Sequence, residues 1–479
     1  MVFNEKILIE LANSALAQRV TNTKRLAPSG SNRVYMRLSL ANGRTVMGAF
    51  NEDLKENEAF FTFTRFFEKE GINVPHLLAV SEDKCYYLLT DLGDETLYSY
   101  LTRRRHGKLI PNDVYDYYRK VIIQLPRIQL AGKKNLDFSV CYPRAAFDRQ
   151  SMQWDLSYFK YYFVKLFGIT FDEQLLEDDF NHLMDYLLEV DQDYFLYRDF
   201  QSRNIMLRQG KVYFIDYQGG RKGALQYDIA SILYDGKAGL SEMKRKELLQ
   251  CYLDELSQYI TVDRADFTAH FYGFVLIRIL QAMGAYGYRG ILERKPHFVL
   301  SIPHAIQNLK YLLEKNMIKL ELPELKNVLM ELVRIDWQKR LNITEHLEKS
   351  DTLNVLVTSF SYKKGVPQDY SGNGGGFVFD CRALPNPGRE AQYQTMTGKD
   401  QEVVDYLEDF TEVHAFKNYV FELVDASVDN YLLRKFSHLM VSFGCTGGQH
   451  RSAYFAEQMA AHLRKEYPQI NVILQHTNI

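Results

Sequence analysis

Tryptophan, cysteine and proline are the scarce residues of this 479-residue chain, with 2, 5 and 12 copies. The cysteines, at positions 85, 141, 251, 381 and 445, are odd in number and show no paired spacing. That argues against a disulfide framework or a zinc site and favours a reducing, cytoplasmic setting. No apolar run approaches the roughly 20 residues that span a bilayer, so no membrane association is expected. The amino-terminal MVFNEKILIELANSAL lacks a basic region followed by an apolar signal core, and reads as an amphipathic helix. Net charge is only −2, which removes any global pull toward nucleic acid or anionic lipid. Low-complexity tracts and internal repeats are absent as well.

What is present is globular: 46% hydrophobic and 25% charged residues, with 33 tyrosines and 30 phenylalanines. The length exceeds one ordinary core, so two or three domains are expected. Residues 26–50 alternate in the manner of strands, with a turn at Ser29-Gly30-Ser31-Asn32 and a hairpin signal at Ala41-Asn42-Gly43. Residues 51–71 predict a helix with an aromatic face, and 85–90 a strand ended by Asp91-Leu92-Gly93. From 95 to about 190, and again over 226–345, the pattern is helical. A polar stretch near 343–352 precedes a buried strand at 353–358, after which strands and helices alternate. The expected organisation is a domain over 1–345 (small lobe about 1–93, helical lobe about 94–345) and a separate α/β domain over 352–479.

The densest chemistry lies at 197–216, Tyr197-Arg198-Asp199-Phe200-Gln201-Ser202-Arg203-Asn204, then Val212-Tyr-Phe-Ile-Asp216. Phosphoryl transfer from ATP needs one carboxylate to orient or deprotonate the attacking hydroxyl. It also needs an amide and a second carboxylate to hold Mg²⁺ against the phosphates. Asp199 is the candidate catalytic group, and Asn204 and Asp216 are the candidate metal and ATP ligands. Arg198 is expected to structure the loop or pair with a buried carboxylate, and Asp228 and Asp235 to brace the loop or cap helices.

Residues 1 to about 340 resemble the aminoglycoside-phosphotransferase-like kinases, an α+β branch of the protein-kinase-like fold with a β-rich lobe and a helical lobe. They are most similar to bacterial kinases that phosphorylate N-acetylmuramate and N-acetylglucosamine at the anomeric hydroxyl, a peptidoglycan-recycling step. The supporting strings are Ser31-Asn-Arg-Val-Tyr-Met-Arg37, Leu89-Thr-Asp-Leu-Gly93, Tyr197–Leu207, Phe214–Ser231 and Arg278–Tyr288. The resemblance implies ATP and Mg²⁺, with Ser31 and Asn32 covering the phosphates through backbone N–H groups. Two departures stand out. Tyr197 replaces the usual histidine. The strand Thr45-Val-Met-Gly-Ala-Phe50 lacks the phosphate-binding lysine, leaving Arg37 or Arg33 to supply the charge, or else an inactive pseudokinase.

A second signal is Val441-Ser-Phe-Gly-Cys445-Thr446-Gly447-Gly448-Gln449-His450-Arg451-Ser452 ahead of a helical run. A glycine-bearing loop at a helix N-terminus cradles anions. Cys445 and Arg451 also fit Cys-x5-Arg, in which a thiolate attacks a gripped phosphate; Asp380 and Asp400 are the candidate general acids. Residues 352–479 resemble the C-terminal domain of the RapZ family of RNase adapters, on Ser359–Pro367, Phe379–Pro387, Thr397–Asp400 and Gly444–Ser452. That resemblance implies binding of RNA and of a phosphorylated aminosugar, and self-association. The domain holds more Asp and Glu than Lys and Arg, which favours a phosphosugar over RNA. The candidate phosphosugar contacts are Lys364, Arg382 and residues 445–451. The rival reading is an RNA-binding adapter with a kinase-like sensor; a kinase–phosphatase is third.

Overall fold

The side chain of Asn4 accepts the Lys6 N–H and starts α1 (Glu5–Leu16), the amphipathic helix expected there. The computed structural model describes residues 3–26, 33–107, 109–341, 352–367, 369 and 375–479. The chain divides into two compact units, Met1–Tyr288 with Ser301–Ile335, and Arg289–Leu300 with Asp336–Ile479. The division falls slightly before the polar stretch near 343–352, most of which lies outside the described residues.

In the first unit, β1 (Val20–Arg25), β2 (Val34–Leu40), β3 (Thr45–Phe50), β4 (Leu77–Val80) and β5 (Tyr86–Thr90) form an antiparallel sheet. Its order is β1-β2-β3-β5-β4. The hairpin at 41–43 joins β2 to β3 as expected. The first strand starts at Val20, ahead of the predicted 26, and β4 is new: four residues are too few to display a period. The turn at 29–32 lies outside the described residues.

Side chains alternate across a strand, and here each sheet face has its own partner. Met36, Leu38 and Leu88 share a core with Leu8 and Ala12 of α1. From the other face Tyr87 meets α2 (Leu54–Lys69), whose Phe60, Phe61, Phe63 and Phe67 are buried. The predicted aromatic face is thus the one that anchors the helix, each ring contributing about 1.5–3 kcal/mol by burial.

The helical body is built around Arg264–Ala285, which packs on Arg149–Phe159 and Leu225–Leu233. Against it stand two short antiparallel pairs, β6 (Tyr194–Leu196) with β9 (Arg221–Gly223), and β7 (Ile205–Arg208) with β8 (Lys211–Phe214). The loops between them carry residues 197–204 and 215–220. A β-sheet lobe with one packed helix, then a helical body with such a loop, is the protein-kinase-like fold.

The second unit has a parallel sheet of β10 (Asn354–Ser361), β11 (Gly376–Asp380), β12 (His438–Cys445) and β13 (Asn471–His476), in the order β11-β12-β10-β13. The helices Thr411–Leu433 and Arg451–Glu466 cover it. The two central strands, β10 and β12, are buried almost throughout, as the apolar run at 353–358 implied. Among the described residues no helix is long and apolar enough to cross a membrane.

Candidate functional site

The catalytic-type loop is held from below. Asp228, fully buried on Leu225–Leu233, accepts the N–H groups of Tyr197 at 2.8 Å and Arg198 at 3.1 Å. Tyr197 is buried and its hydroxyl donates to the Ile215 carbonyl at 2.5 Å, a scaffold in place of histidine. Arg198, at φ +81°, pairs with Asp155 at 2.7 Å beneath the ring of Phe147. Ser202 donates to Asp235 at 2.6 Å. The expected braces are all in place.

Above them the three candidate residues converge. Asn204 Nδ2 donates to the Asp199 carbonyl at 2.9 Å and to Asp216 Oδ2 at 3.1 Å. β8 ends at Phe214, two residues before Asp216, so Asp216 does not end the strand as the sequence pattern suggested. It sits at φ +71°, a left-handed conformation that costs a non-glycine residue about 1 kcal/mol or more and marks functional turns. The Asp199 side chain is half exposed, with Arg278 Nη2 3.7 Å away.

Asp216 reaches solvent in a cleft but is closely surrounded by protein. That crowding, with the negative charge of Asp199, pushes its carboxyl above the usual range. Gln218 Nε2 donates to it at 2.7 Å, and the Gln218 side-chain oxygen Oε1 is buried without a hydrogen-bond partner. A crowded carboxylate beside a second one, an amide and an unsatisfied oxygen suits a hard divalent cation. Mg²⁺ is held in this way, by one or two carboxylates plus water and phosphate. Among the described residues no group of three or more His, Cys, Asp or Glu could hold a metal alone, so the phosphates must complete the shell.

Of the remaining predicted ATP contacts, Ser31 and Asn32 lie outside the described residues. Arg37 is tied to the strand end rather than the phosphate region: its Nε and Nη2 donate to Asp91 at 2.6 and 3.0 Å, and it also binds Asp94. Gln218, Glu56 and Asp155 were not foreseen, because only the folded chain brings them beside the loop.

In the second unit Cys445 ends β12 and its loop enters the helix Arg451–Glu466. Burial opposes ionisation of the thiol. The Ser452 hydroxyl, the Ser452 and Gly448 N–H groups and the Arg451 charge outweigh it and lower the Cys445 pKa. Thr446 and Gly447 are exposed at the mouth of this loop. Three predicted anion contacts have another task. Gln449 Nε2 donates to the carbonyls of Gln394 and Met396, His450 Nε2 bonds the Tyr393 carbonyl at 2.8 Å, and Arg451 Nη1 donates to the Arg382 and Leu384 carbonyls at 2.8 and 2.9 Å. They clamp neighbouring loops. Arg382 stacks over Tyr362 at 4.0 Å and binds Asp380, while Lys364 is exposed. Asp380, through Arg382, and Asp400, through the Thr397 N–H, both have lowered pKa values, which suits neither to donate a proton.

The geometry defines a kinase-like domain and a separate α/β domain whose glycine-bearing loop leads into a helix. Residues 22–260 match the phosphotransferase enzyme family and residues 353–479 match the RapZ C-terminal domain, so the chain carries a domain of each family. A nucleotide-binding protein of Xylella fastidiosa (strain M23) is 42% identical over 129 residues, 27% of this chain and 43% of the relative. One from Xanthomonas oryzae pv. oryzae (strain PXO99A) is 32% identical over 176 residues, 36% of this chain and 59% of the relative. The chain thus spans about half the length of these curated relatives. Among solved structures, a choline kinase from Cryptosporidium parvum Iowa II is 13% identical at TM-score 0.46, covering 68% of this chain and 100% of its own. An ADP-bound aminoglycoside phosphotransferase is 12% identical at TM-score 0.43, covering 70% and 99%.

Proposed function

We propose that the first domain is an ATP-dependent kinase of a sugar hydroxyl, the anomeric hydroxyl of a cell-wall-derived N-acetylated aminosugar, and that the C-terminal domain binds a phosphorylated aminosugar. The observation that carries the kinase reading is the convergence of Asp199, Asn204 and Asp216 through one amide group. Asp199 orients the attacking hydroxyl and takes its proton as the sugar oxygen bonds to the γ-phosphorus and the bond from that phosphorus to ADP breaks. Asn204 and Asp216 would hold Mg²⁺, which when bound neutralises charge between the phosphates. Arg278 Nη2, 3.7 Å from the Asp199 carboxylate, supports its orientation.

For the second domain, the exposed Thr446–Gly447 turn at the helix entrance supports capture of a phosphate group. A cytoplasmic location and association with further copies of the chain belong to this reading. The test is ATP consumption by the full chain across a panel of aminosugars. Turnover that Asp199→Asn lowers by about 100-fold or more is expected; no turnover on any sugar overturns the kinase reading. An RNA adapter would instead show RNA binding with a steep salt slope.

A further inference from the structure

β3 carries no lysine to meet the phosphates of ATP; it reads Thr45-Val-Met-Gly-Ala-Phe50. We propose that Arg33 does that work, gripping the ATP phosphates from the start of β2 while Glu56 of α2 holds it in place. The proposal rests on the kinase reading and says how that site manages without its usual cation.

Met36, Leu38 and Leu40 of β2 belong to the core beneath α1. By alternation Arg33, Tyr35 and Arg37 point to the opposite face, where α2 lies. Arg37 is bound to Asp91 and Asp94. Arg33 is 6% exposed. Its Nη2 lies 3.1 Å from Glu56 and its Nη1 donates to the Tyr35 hydroxyl at 3.3 Å, with the guanidinium 5.8 Å from the Phe60 ring centre.

The contacts continue toward the metal side. Gln218 Nε2 donates to Glu56 at 3.3 Å and to Asp216 at 2.7 Å. Arg33, Glu56, Gln218 and Asp216 therefore form one polar chain linking β2, α2 and the metal-binding carboxylate. The kinase lysine has the same two attachments, a carboxylate on the packed helix and the ATP phosphates.

The position a strand lysine would take is occupied by a small residue. Ala49 stands opposite Tyr35 on one side and Tyr87 on the other. The Tyr87 hydroxyl is fully buried and has no hydrogen-bond partner, and the Gln218 side-chain oxygen Oε1 is buried and unpartnered as well. Buried polar atoms are almost always partnered, and a phosphate with its ordered water would supply partners for both. A guanidinium suits the role because its planar fork can engage two phosphate oxygens together.

Calorimetry with Mg·AMP-PNP and steady-state turnover on the full chain test this in wild type, Arg33→Met, Arg33→Lys and Glu56→Gln. Arg33→Met is expected to weaken nucleotide binding and to lower kcat by about 100-fold, the effect of losing one preorganised charge donor, with KM for sugar unchanged. Arg33→Lys recovers part of both losses and Glu56→Gln falls between. Wild-type affinity and turnover in Arg33→Met overturn the assignment. Should Arg33→Met lose its cooperative melting transition, the other two variants decide. Weakened nucleotide binding at an unchanged melting temperature supports the role of Arg33, and unchanged binding and turnover overturn it. A wild-type chain that binds no nucleotide overturns the kinase reading itself.

Discussion

The buried carboxylate of Asp228 accepts the backbone N–H of Tyr197 at 2.8 Å, and through it the helix Leu225–Leu233 sets the height of the catalytic loop. Burial pushes the Asp228 carboxyl up to about 7, although the Tyr197 and Arg198 N–H groups favour its charged form. A carboxyl whose pKa rises on folding binds its proton more tightly in the native state. Its contribution to stability is complete below its ordinary 3.8 and is lost as pH rises through about 7. Urea unfolding of the full chain should show stability falling over that window, by at most about 4 kcal/mol. The fall should shrink in Asp228→Asn, and identical profiles would refute the linkage.

Arg198 and Asp155 form a mostly buried pair, with the guanidinium stacked on Phe147 and Tyr227. Removing one partner strands the other charge. Asp155→Ala should therefore cost about 3–5 kcal/mol and lower turnover by disturbing the neighbouring Asp199. The double variant Asp155→Leu with Arg198→Met should recover most of the stability. Melting temperature and kcat measured around the cycle separate the two effects.

Asp199 and Asp216 should fail in different ways. Loss of a general base lowers rate by about 100-fold or more, so Asp199→Asn should bind Mg·AMP-PNP normally and turn over slowly. Asp216→Asn should instead raise the magnesium concentration needed for nucleotide binding. A titration of Mg²⁺ at fixed nucleotide distinguishes them, and equal magnesium dependence in both variants would contradict the assigned roles.

Gly398 faces the backbone carbonyl of His450 so closely that any Cβ would overlap it, and its own N–H donates to the Gln449 carbonyl at 2.9 Å. Gly398→Ala should push the 393–398 segment away from the 445–451 loop, costing about 1–3 kcal/mol. Binding of aminosugar phosphates by the C-terminal domain should weaken, read by calorimetry, while turnover by the first domain is unchanged.

Cys445 ionises more readily than an ordinary thiol, because the Ser452 and Gly448 donors and Arg451 outweigh its burial. Thiolate absorbance should appear at lower pH than for the exposed reference cysteine of a peptide, and Ser452→Ala should shift it upward. With Asp380 and Asp400 both favouring ionisation, phosphate release from an aryl phosphate ester should be absent. Cys445-dependent release would revive the thiol-phosphatase reading.

Local patterns were legible wherever chemistry and period coincide. The amphipathic α1, the aromatic α2, the buried β10 and the Asp199–Asn204–Asp216 spacing all follow from residue order, since neighbours in sequence decide periodicity and turn chemistry. β4 was too short to read, and the left-handed turn at Asp216 carried no glycine to announce it. Gln449, His450 and Arg451 show what residue type alone does not reveal. Their types suit a phosphate, yet carbonyls distant in sequence had already claimed them.

The sequence by itself determined the two families of domain, the carboxylate–amide–carboxylate set and the absence of a strand lysine. These depend on residue identity and short spacing alone. Only the tertiary structure decided which carboxylate Arg33 pairs with and which side chains of the 445–451 loop are tied to distant carbonyls. Arg33 and Glu56 lie 3.1 Å apart because a sheet face and a packed helix meet there, and Arg37 is excluded because Asp91 reaches it first. Such choices are made by competition among partners in space, which linear order does not record.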